Sequence, residues 1–275
     1  MSPTPSPWHD AVPSRSFDLV ADAYDRGRPT YPREAADWLV GRPHARVLEL
    51  GAGTGKLTEQ LLALGHTVTA TDPSEVMLDR LARRAPEATR LAATAEEIPL
   101  ASKSFDVVVA AQAFHWFDVA RALPEIARML APGGHLAVVW NTRDERIPWV
   151  RRLGALIGGN DHETDPTAVI DESAMFETVE SKTFRFWQPL TPDSLRDLVT
   201  SRSYAATMSD LERTRLLDKV GRLYDEYGRG ADGLLLPYLT SAYRATVLPW
   251  AVPEEPAAPP PPDDVDPDAL LIDFR

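Results

Sequence analysis

Short apolar runs recur along the first half of the chain. Phe105–Ala111 is a near-continuous apolar run, typical of a strand buried on both faces, and residues 135–140 form another. Arg46–Leu50 is a shorter run of the same kind, and Thr67–Thr71 is rich in β-branched residues, which favour strands. A further short strand is predicted at residues 89–92.

Helix signals fill the intervals between these strands. Residues 56–64 are predicted to form a helix that stops at Gly65, a residue favoured just past a helix end. Ser74 can cap a helix that runs to residue 85, and Asp118 can cap one that ends near residue 130. A turn at residues 132–134 follows. Strands that alternate with helices in this way imply an α/β fold with a parallel sheet and right-handed crossovers.

The two ends of the chain carry weaker patterns. Residues 16–40 show helical spacing, which the prolines within residues 28–32 interrupt. Beyond residue 141 we predict a strand at 179–187, helices at 193–201 and 209–227, and a last strand near 242–247. The expected organisation is a flexible N-terminus (1–15), N-terminal lid helices (16–40), an α/β core (41–145), a C-terminal part with late strands and a helical cap (146–248), and a disordered acidic, proline-rich tail (249–275).

Composition narrows the class of protein. The chain has 275 residues, of which 44% are hydrophobic, enough for one sizeable core with an appended lid. No apolar run approaches the ~20 residues of a membrane span, and the N-terminus lacks the basic-then-apolar order of a signal peptide. The absence of cysteine excludes disulfides, thiolate metal sites and cysteine nucleophiles. We therefore expect a cytoplasmic protein with no membrane contact and no metal.

The formal net charge of −12 bears on the choice of partner. Nucleic-acid backbones demand clustered lysine and arginine, so this charge disfavours a nucleic-acid partner. It also exerts no general attraction on an anionic substrate. A local group of arginines could supply that attraction, or could simply form a solvated helix face: Arg143, Arg146, Arg151 and Arg152.

A glycine-rich turn lies between the first predicted strand and the first helix of the core. In Gly51-Ala52-Gly53-Thr54-Gly55, the glycines let the backbone approach a ligand without interference from Cβ atoms. The spacing G-x-G-x-G differs from the G-x-G-x-x-G of dinucleotide sites. Glu49, two residues before the first glycine, would repel a pyrophosphate but suits a cationic ligand. An ordinary tight turn is the alternative interpretation.

Asp72, at the end of the second strand, can accept hydrogen bonds from two ribose hydroxyls. The alternative is that it only caps a turn formed with Pro73 and Ser74. Pro73 and Met77 offer apolar surface to an adenine ring, although Met77 fits the core of a helix equally well. Thr94, Ala95 and Glu96 follow the third strand and could meet the adenine edge; otherwise they form a solvated acidic loop.

Residues 112–117 follow the fourth strand and combine three aromatic residues with a histidine. Because open parallel sheets bind ligands beyond the carboxyl ends of their strands, this segment should face the transferred group. His115 is the candidate general base, or else a structural imidazole. We assign Gln112, Ala113 and Phe114 to the cofactor, and the following residues to the substrate: Trp116, Trp140 and Asn141.

Together these motifs resemble the class I S-adenosylmethionine-dependent methyltransferases, in the type 11 branch. The resemblance covers roughly residues 16–145, and residues 24–29 and 112–117 are similar to trans-aconitate methyltransferase-like proteins. It implies a Rossmann-like seven-stranded, mostly parallel sheet with the last strand antiparallel, and a helical lid. It also implies that the glycine loop contacts the methionine part of the cofactor and that Asp72 holds the ribose. Many relatives carry aspartate where Thr94 aligns, which puts the recognition of the adenine amino group in doubt.

The same resemblance places Tyr24 and Arg28 in the lid, where Arg28 could pair with the cofactor carboxylate. The expected function is S-adenosylmethionine-dependent methylation of a small molecule, on a carboxylate or hydroxyl oxygen. An NAD-dependent oxidoreductase and a non-catalytic S-adenosylmethionine-binding scaffold are the alternatives. The sequence predicts neither the methyl acceptor nor the oligomeric state.

Overall fold

A computed structural model describes residues 27–158, 165–200, 208–228 and 233–252. The predicted flexible N-terminus, the lid helix up to residue 26 and the tail beyond residue 252 lie outside these ranges. The strands are β1 (Arg46–Leu50), β2 (Thr67–Thr71), β3 (Thr89–Leu91), β4 (Phe105–Ala111), β5 (Leu130–Arg143), β6 (Glu180–Leu190) and β7 (Leu234–Thr246). The α-helices within the described ranges are α1 (Arg33–Val40), α2 (Lys56–Ala63), α3 (Glu75–Arg84), α4 (Val119–Met129), α5 (Pro148–Ile157), α6 (Thr167–Glu172), α7 (Pro192–Thr200) and α8 (Asp210–Tyr227).

The seven strands form one sheet in the order β3-β2-β1-β4-β5-β7-β6. Strands β1 to β5 pair in parallel, whereas β7 is antiparallel to both of its neighbours, β5 and β6. The predicted mostly parallel, seven-stranded Rossmann-like sheet with an antiparallel last strand is therefore confirmed. Because the parallel strands share one direction, the loops after β1, β2 and β4 meet at the carboxyl edge of the sheet.

Apolar side chains on both faces of the central strands build two buried layers. Leu48 and Val108 face a layer completed by α4. Their neighbours Val47 and Val107 face the opposite layer, which α1 and α2 complete. Successive side chains of a strand point to opposite faces, so burial on both sides requires the near-continuous apolar runs seen in β1 and β4.

Strand β5 starts earlier than predicted. The sequence indicates a turn at residues 132–134, but Leu130–Arg143 is a single strand. Its pairing with β4 changes register between Phe105 and Val107, and β5 carries the extra residues at that irregularity. Gly133 adopts a φ of 74° there. The proline-glycine-glycine sequence thus lies in a bulge within the strand and does not form a separate turn.

Strand β7 also begins earlier than predicted, and the added part includes a proline. Proline lacks an N–H group and is disfavoured inside a sheet. The last β5–β7 pair joins Arg143 to Tyr238, and the carbonyl of Pro237 accepts a hydrogen bond from the N–H of Asp144 at 2.9 Å. The backbone of Pro237 therefore faces a position just beyond the end of β5. Its missing N–H removes no hydrogen bond between β5 and β7.

Helices α5, α7 and α8 pack together against one end of β6 and β7, and we call them the cap. Phe186 of β6 stacks on Tyr238 of β7 with ring centroids 5.2 Å apart. The predicted helices α7 and α8 are present, and α8 begins with a capping box formed by Ser209 and Glu212. Helices α5 and α6 are not predicted by the sequence pattern.

The described chain ends beside α4. Pro249–Ala251 forms a short 3-10 helix and Val252 is buried, so order extends into the segment that we expected to be disordered from residue 249 onward. None of the helices in the described ranges combines the length and the apolar character needed to cross a bilayer.

Candidate active site

The glycine loop between β1 and α2 is compressed between the ends of two other strands. The N–H of Ala52 donates to the carbonyl of Thr71, the last residue of β2, at 2.9 Å. On the other side, a Cβ atom at Gly51 would lie 2.7 Å from the Cβ of Ala113, just after β4. Gly51 also has a φ of 64°, so this position requires glycine both for its conformation and for space.

The other two glycines of the loop differ in what surrounds them. A Cβ at Gly55 would lie 2.8 Å from Leu81 Cγ, so Gly55 lets α2 begin close to α3. At Gly53 no heavy atom of the described residues lies within 4 Å of the Cβ position. The loop is thus closely packed at its two ends and open at Gly53, where a ligand can approach the backbone.

Glu49 lies beneath this loop and is 1% exposed. Its carboxylate accepts a hydrogen bond from Thr58 Oγ1 of α2 at 2.6 Å. Burial raises the pKa of Glu49 to about 8, the Thr58 hydrogen bond lowers it, and the charge of Asp72 raises it further. A nearby cation would favour the ionised form of this carboxyl group. Thr58 is a partner that we did not predict, and its only sequence signal is a polar residue on a buried helix face.

Asp72 connects the second strand to the glycine loop. Its Oδ2 accepts from the N–H of Gly53 at 2.9 Å, and its Oδ1 accepts from the N–H of Ser74 at 2.9 Å. Burial raises the pKa of Asp72, and the two backbone N–H groups lower it. A carboxylate offers about four lone-pair sites, so these two bonds leave acceptor capacity for a ligand. Pro73 is exposed and Met77 is half-buried in the first turn of α3.

The loop after β3 is held from the side of α4. Ala95 is buried in the core and Thr94 is exposed. The carboxylate of Glu96 accepts from the N–H of Asp118 at 2.9 Å, which directs that side chain toward the start of α4. Arg128 donates to the carbonyl of Ile98 at 2.8 Å and fixes the end of the loop. Adenine recognition by Thr94, Ala95 and Glu96 remains a prediction.

The segment after β4 begins with a strained residue. Gln112 has a φ of 57°, unusual for a residue with a side chain and frequent near functional sites. Its N–H donates to the carbonyl of Val139 at 2.9 Å, and its Nε2 donates to the carbonyl of Asn141 at 3.0 Å. Ala113 and Phe114 are buried, and Ala113 is the residue that contacts the glycine loop.

His115 and Trp116 lie on the short 3-10 helix that follows. The indole Nε1 of Trp140 donates to His115 Nδ1 at 3.4 Å. Trp140 is 1% exposed and packs edge-to-face against Phe114 and Tyr243. Trp116 is 60% exposed, and its ring centroid lies 4.8 Å from that of His115. Of the two tryptophans assigned to the substrate, only Trp116 is exposed. Trp140 is buried and contacts this segment through its hydrogen bond to His115.

Asn141 joins three segments of the chain. Its Nδ2 donates to the carbonyl of Thr30 at 3.0 Å, and its Oδ1 accepts from Thr240 Oγ1 at 2.7 Å. Burial raises the pKa of the Tyr238 phenol to about 12, and the nearby charges of Arg143 and Arg28 lower it. The residues after Gly27 therefore run between the cap and β5. Tyr24, the other predicted lid contact, lies outside the described residues.

Three of the four arginines at the end of β5 and beyond it bind separate partners. Arg143 is buried and donates to the carbonyl of Gly158 at 2.6 Å. Arg146 pairs with Asp144, and Arg152 pairs with Glu226 of α8. These pairs use the arginines to tie local structure together, so the described residues give little support to a single anion-attracting cluster.

Comparison with known proteins identifies the family. The family described as "Methyltransferase domain", of type 11, matches residues 48–138. The uncharacterized methyltransferase Mb3374 of Mycobacterium bovis is 48% identical over 236 residues, which cover 85% of this chain and 96% of that protein. A solved type II methyltransferase structure from Anaeromyxobacter dehalogenans superposes with a TM-score of 0.54 at 25% identity, covering 82% of this chain and 99% of that one.

A more distant relative has a named activity. The malonyl-[acyl-carrier protein] O-methyltransferase of Methylococcus capsulatus is 38% identical over 134 residues, which cover 44% of this chain and 48% of that protein. The narrower resemblance to trans-aconitate methyltransferase-like proteins remains a prediction. The fold, the glycine loop with its acids, and the two relatives matched over nearly their whole length all indicate the same family. The chain belongs to the class I methyltransferases of the type 11 branch, and S-adenosylmethionine is its cofactor.

Proposed function

We propose that the enzyme transfers a methyl group from S-adenosylmethionine to an oxygen atom of a small molecule, on a carboxylate or hydroxyl group. The observation that carries this proposal is the pair of buried acids, Glu49 and Asp72, beside the open position at Gly53. A cationic sulfur nucleoside favours the ionised forms of these two acids, whereas a pyrophosphate would oppose them. The name of the Methylococcus relative supports oxygen as the acceptor atom.

The residues present fit the cofactor. In the proposal, Asp72 accepts from the ribose hydroxyls, Glu49 faces the cationic methionine part, and the backbone at Gly53 allows close approach. Pro73 and Met77 offer apolar surface to the adenine. S-adenosylmethionine supplies a methyl group that its positive sulfur already activates, so the protein has to align the acceptor and exclude water.

The acceptor is proposed to lie beyond the ends of β4 and β5. His115 follows the segment that touches the glycine loop, and the exposed ring of Trp116 lies beside it. Asn141 fixes the neighbouring end of β5 against residue 30. In the proposal, these polar and aromatic groups hold the acceptor in line with the methyl group, so that the methyl group can pass from sulfur to oxygen.

Gly51→Ala is expected to weaken cofactor binding about thirtyfold, since a positive φ and a steric conflict each cost on the order of 1 kcal/mol. The added Cβ would fall 2.7 Å from Ala113 and push the loop away from the end of β4. Isothermal titration with S-adenosylhomocysteine measures the change. Gly133→Ala is the matched control, since Gly133 also has a positive φ but lies in open space among the described residues. Equal affinities for both variants would argue against the packing role of Gly51.

Two measurements test the proposed function. Titration of the purified chain with S-adenosylmethionine or S-adenosylhomocysteine should release or absorb heat and raise the melting temperature. Incubation with a metabolite extract and methyl-labelled cofactor should then yield a labelled small molecule, detected by mass spectrometry. A chain that binds neither nucleoside, or that labels only nitrogen or carbon atoms, would contradict the proposal.

A further inference from the structure

The hydrogen bond between Trp140 and His115 fixes the direction of the imidazole. An indole N–H can only donate, so the nitrogen that it meets must accept. Trp140 is buried and held by Phe114 and Tyr243, with ring centroids at 6.4 and 5.9 Å, so its N–H group cannot turn elsewhere without disturbing the core. Its partner at 3.4 Å is Nδ1 of His115.

That contact selects one tautomer of His115. A neutral imidazole carries its proton on one nitrogen, and the hydrogen bond made by the other nitrogen decides which. Because Nδ1 accepts from Trp140, the proton of neutral His115 resides on Nε2. In this state Nε2 of the histidine carries the proton and can only donate, and the basic nitrogen faces the buried indole.

This state suits some methyl acceptors and not others. A hydroxyl group has to lose its proton during methylation, and a general base helps it to do so. A carboxylate is already ionised at neutral pH and needs no base. It also accepts hydrogen bonds strongly, so an Nε2–H donor can orient one of its oxygens while the other attacks.

We infer that His115 donates Nε2–H to the methyl acceptor, that Trp140 positions it for this role, and that the acceptor is a carboxylate. The inference rests on the proposed function. A bond forms between a carboxylate oxygen and the methyl carbon, while the bond between that carbon and sulfur breaks and its electron pair stays on sulfur. The products are a methyl ester and neutral S-adenosylhomocysteine, and no proton changes place.

The tautomer can be measured without any acceptor. Nitrogen-15 NMR of the full chain labelled at histidine distinguishes Nδ1–H from Nε2–H, and the signals lost in His115→Gln identify His115. We expect Nε2–H in the native chain and an increased share of Nδ1–H in Trp140→Phe. Trp38→Phe, which alters an indole in contact with Phe184, is the matched control and should leave the His115 signals unchanged. An Nδ1–H tautomer in the native chain would overturn the inference.

The acceptor class is tested through the stability of the product. Labelled product from the metabolite extract is treated with mild alkali, which hydrolyses a methyl ester and releases labelled methanol, whereas methyl ethers survive. Release of the label supports a carboxylate. Label retained as a methyl ether contradicts the carboxylate assignment while leaving oxygen methylation intact. If the extract yields no product, the proposed function fails, and the tautomer measurement still decides the role of Trp140.

Substitutions of His115 separate a donor from a base. The side-chain amide of glutamine can place an N–H group near the position of Nε2 but cannot take up a proton. With the labelled acceptor, we expect His115→Ala to lose about a hundredfold in turnover, as removal of one preorganised donor typically does. His115→Gln should be about tenfold more active than His115→Ala, because a neutral hydrogen bond replaces the lost one. Equal loss in the two variants would indicate a base.

Discussion

Replacement of Asp72 by alanine is expected to weaken S-adenosylmethionine binding about a thousandfold, since hydrogen bonds to a charged group are worth roughly 1.5–3 kcal/mol each and two are proposed to the ribose. The variant also loses the hydrogen bond to the N–H of Gly53, which holds the loop at its open position. Titration calorimetry with S-adenosylmethionine and its demethylated product measures the loss. Asp72→Asn keeps the shape of the side chain, and its cofactor affinity should fall between those of the native chain and Asp72→Ala.

The control for Asp72 is an aspartate at the opposite edge of the sheet. Asp106 accepts from the N–H of Arg46 at 2.8 Å and pairs with its guanidinium at 3.1 Å. Asp106→Ala therefore removes comparable hydrogen bonds near the amino ends of β1 and β4 and should lower the free energy of unfolding. Cofactor affinity should stay unchanged in this variant. An unaltered affinity in Asp72→Ala, or an equal loss in both variants, would refute the ribose assignment.

Glu49→Gln is expected to weaken cofactor binding about a hundredfold above pH 8, through loss of a charged hydrogen-bond acceptor. It should also remove a pH dependence from both binding and stability. Burial raises the pKa of Glu49 to about 8 in the folded apoprotein, from an ordinary value of 4.5. A cationic ligand favours the ionised form, so binding at lower pH has to release the proton.

The sign of the stability effect follows from these two pKa values. Between pH 4.5 and about 8, the folded chain keeps a proton on Glu49 that the unfolded chain has released. The contribution of this group to stability is therefore complete below 4.5 and is lost as the pH rises through 8. Since glutamine does not titrate, the melting temperature of Glu49→Gln relative to the native chain should rise with pH, by ~5 °C or more across this window.

Two measurements check the role of Glu49. Calorimetry in buffers of different ionisation enthalpy counts the protons released on binding, and we expect release in the native chain at neutral pH and none in Glu49→Gln. Glu59→Gln is the control, because Glu59 lies on the exposed side of α2 and pairs with Arg84. If the native chain bound cofactor without proton release, or if Glu59→Gln behaved like Glu49→Gln, the assignment would be wrong.

Much of the core was predictable because its signals are local. Strands β1 and β4 have the predicted bounds because their apolar runs are buried on both faces, and β2 has the predicted bounds because its β-branched residues favour a strand. Ser74 caps α3 as predicted, with its Oγ accepting from the N–H of Met77. Where pairing partners decide the structure, the sequence was insufficient. The turn residues at 132–134 are absorbed into β5, and Pro237 is tolerated in β7, because of neighbours far away in the chain.

The site was predictable as a set of positions but not as a set of contacts. The glycine loop and the two acids stand out because their residue types and order are distinctive. The hydrogen bonds from Gly53 to Asp72 and from Trp140 to His115 join residues on different elements, 19 and 25 positions apart. No pattern within a single strand or helix encodes such pairs. The strained backbone of Gln112 is likewise a product of the surrounding fold, since glutamine carries no turn signal of its own.

Strand β7 contributes residues to three hydrophobic clusters. Its first part supplies Leu234, Leu236 and Tyr238 to the cap, and Ala242 and Ala245 lie in the layers on either side of the sheet. A rigid lid on a hinge can swing open while the body beneath it stays whole, but this cap cannot leave without drawing β7, which pairs with a strand on either side, out of its ladder. Cap and sheet should therefore lose their structure cooperatively, and the energy that holds the cap in place is part of the global stability of the enzyme.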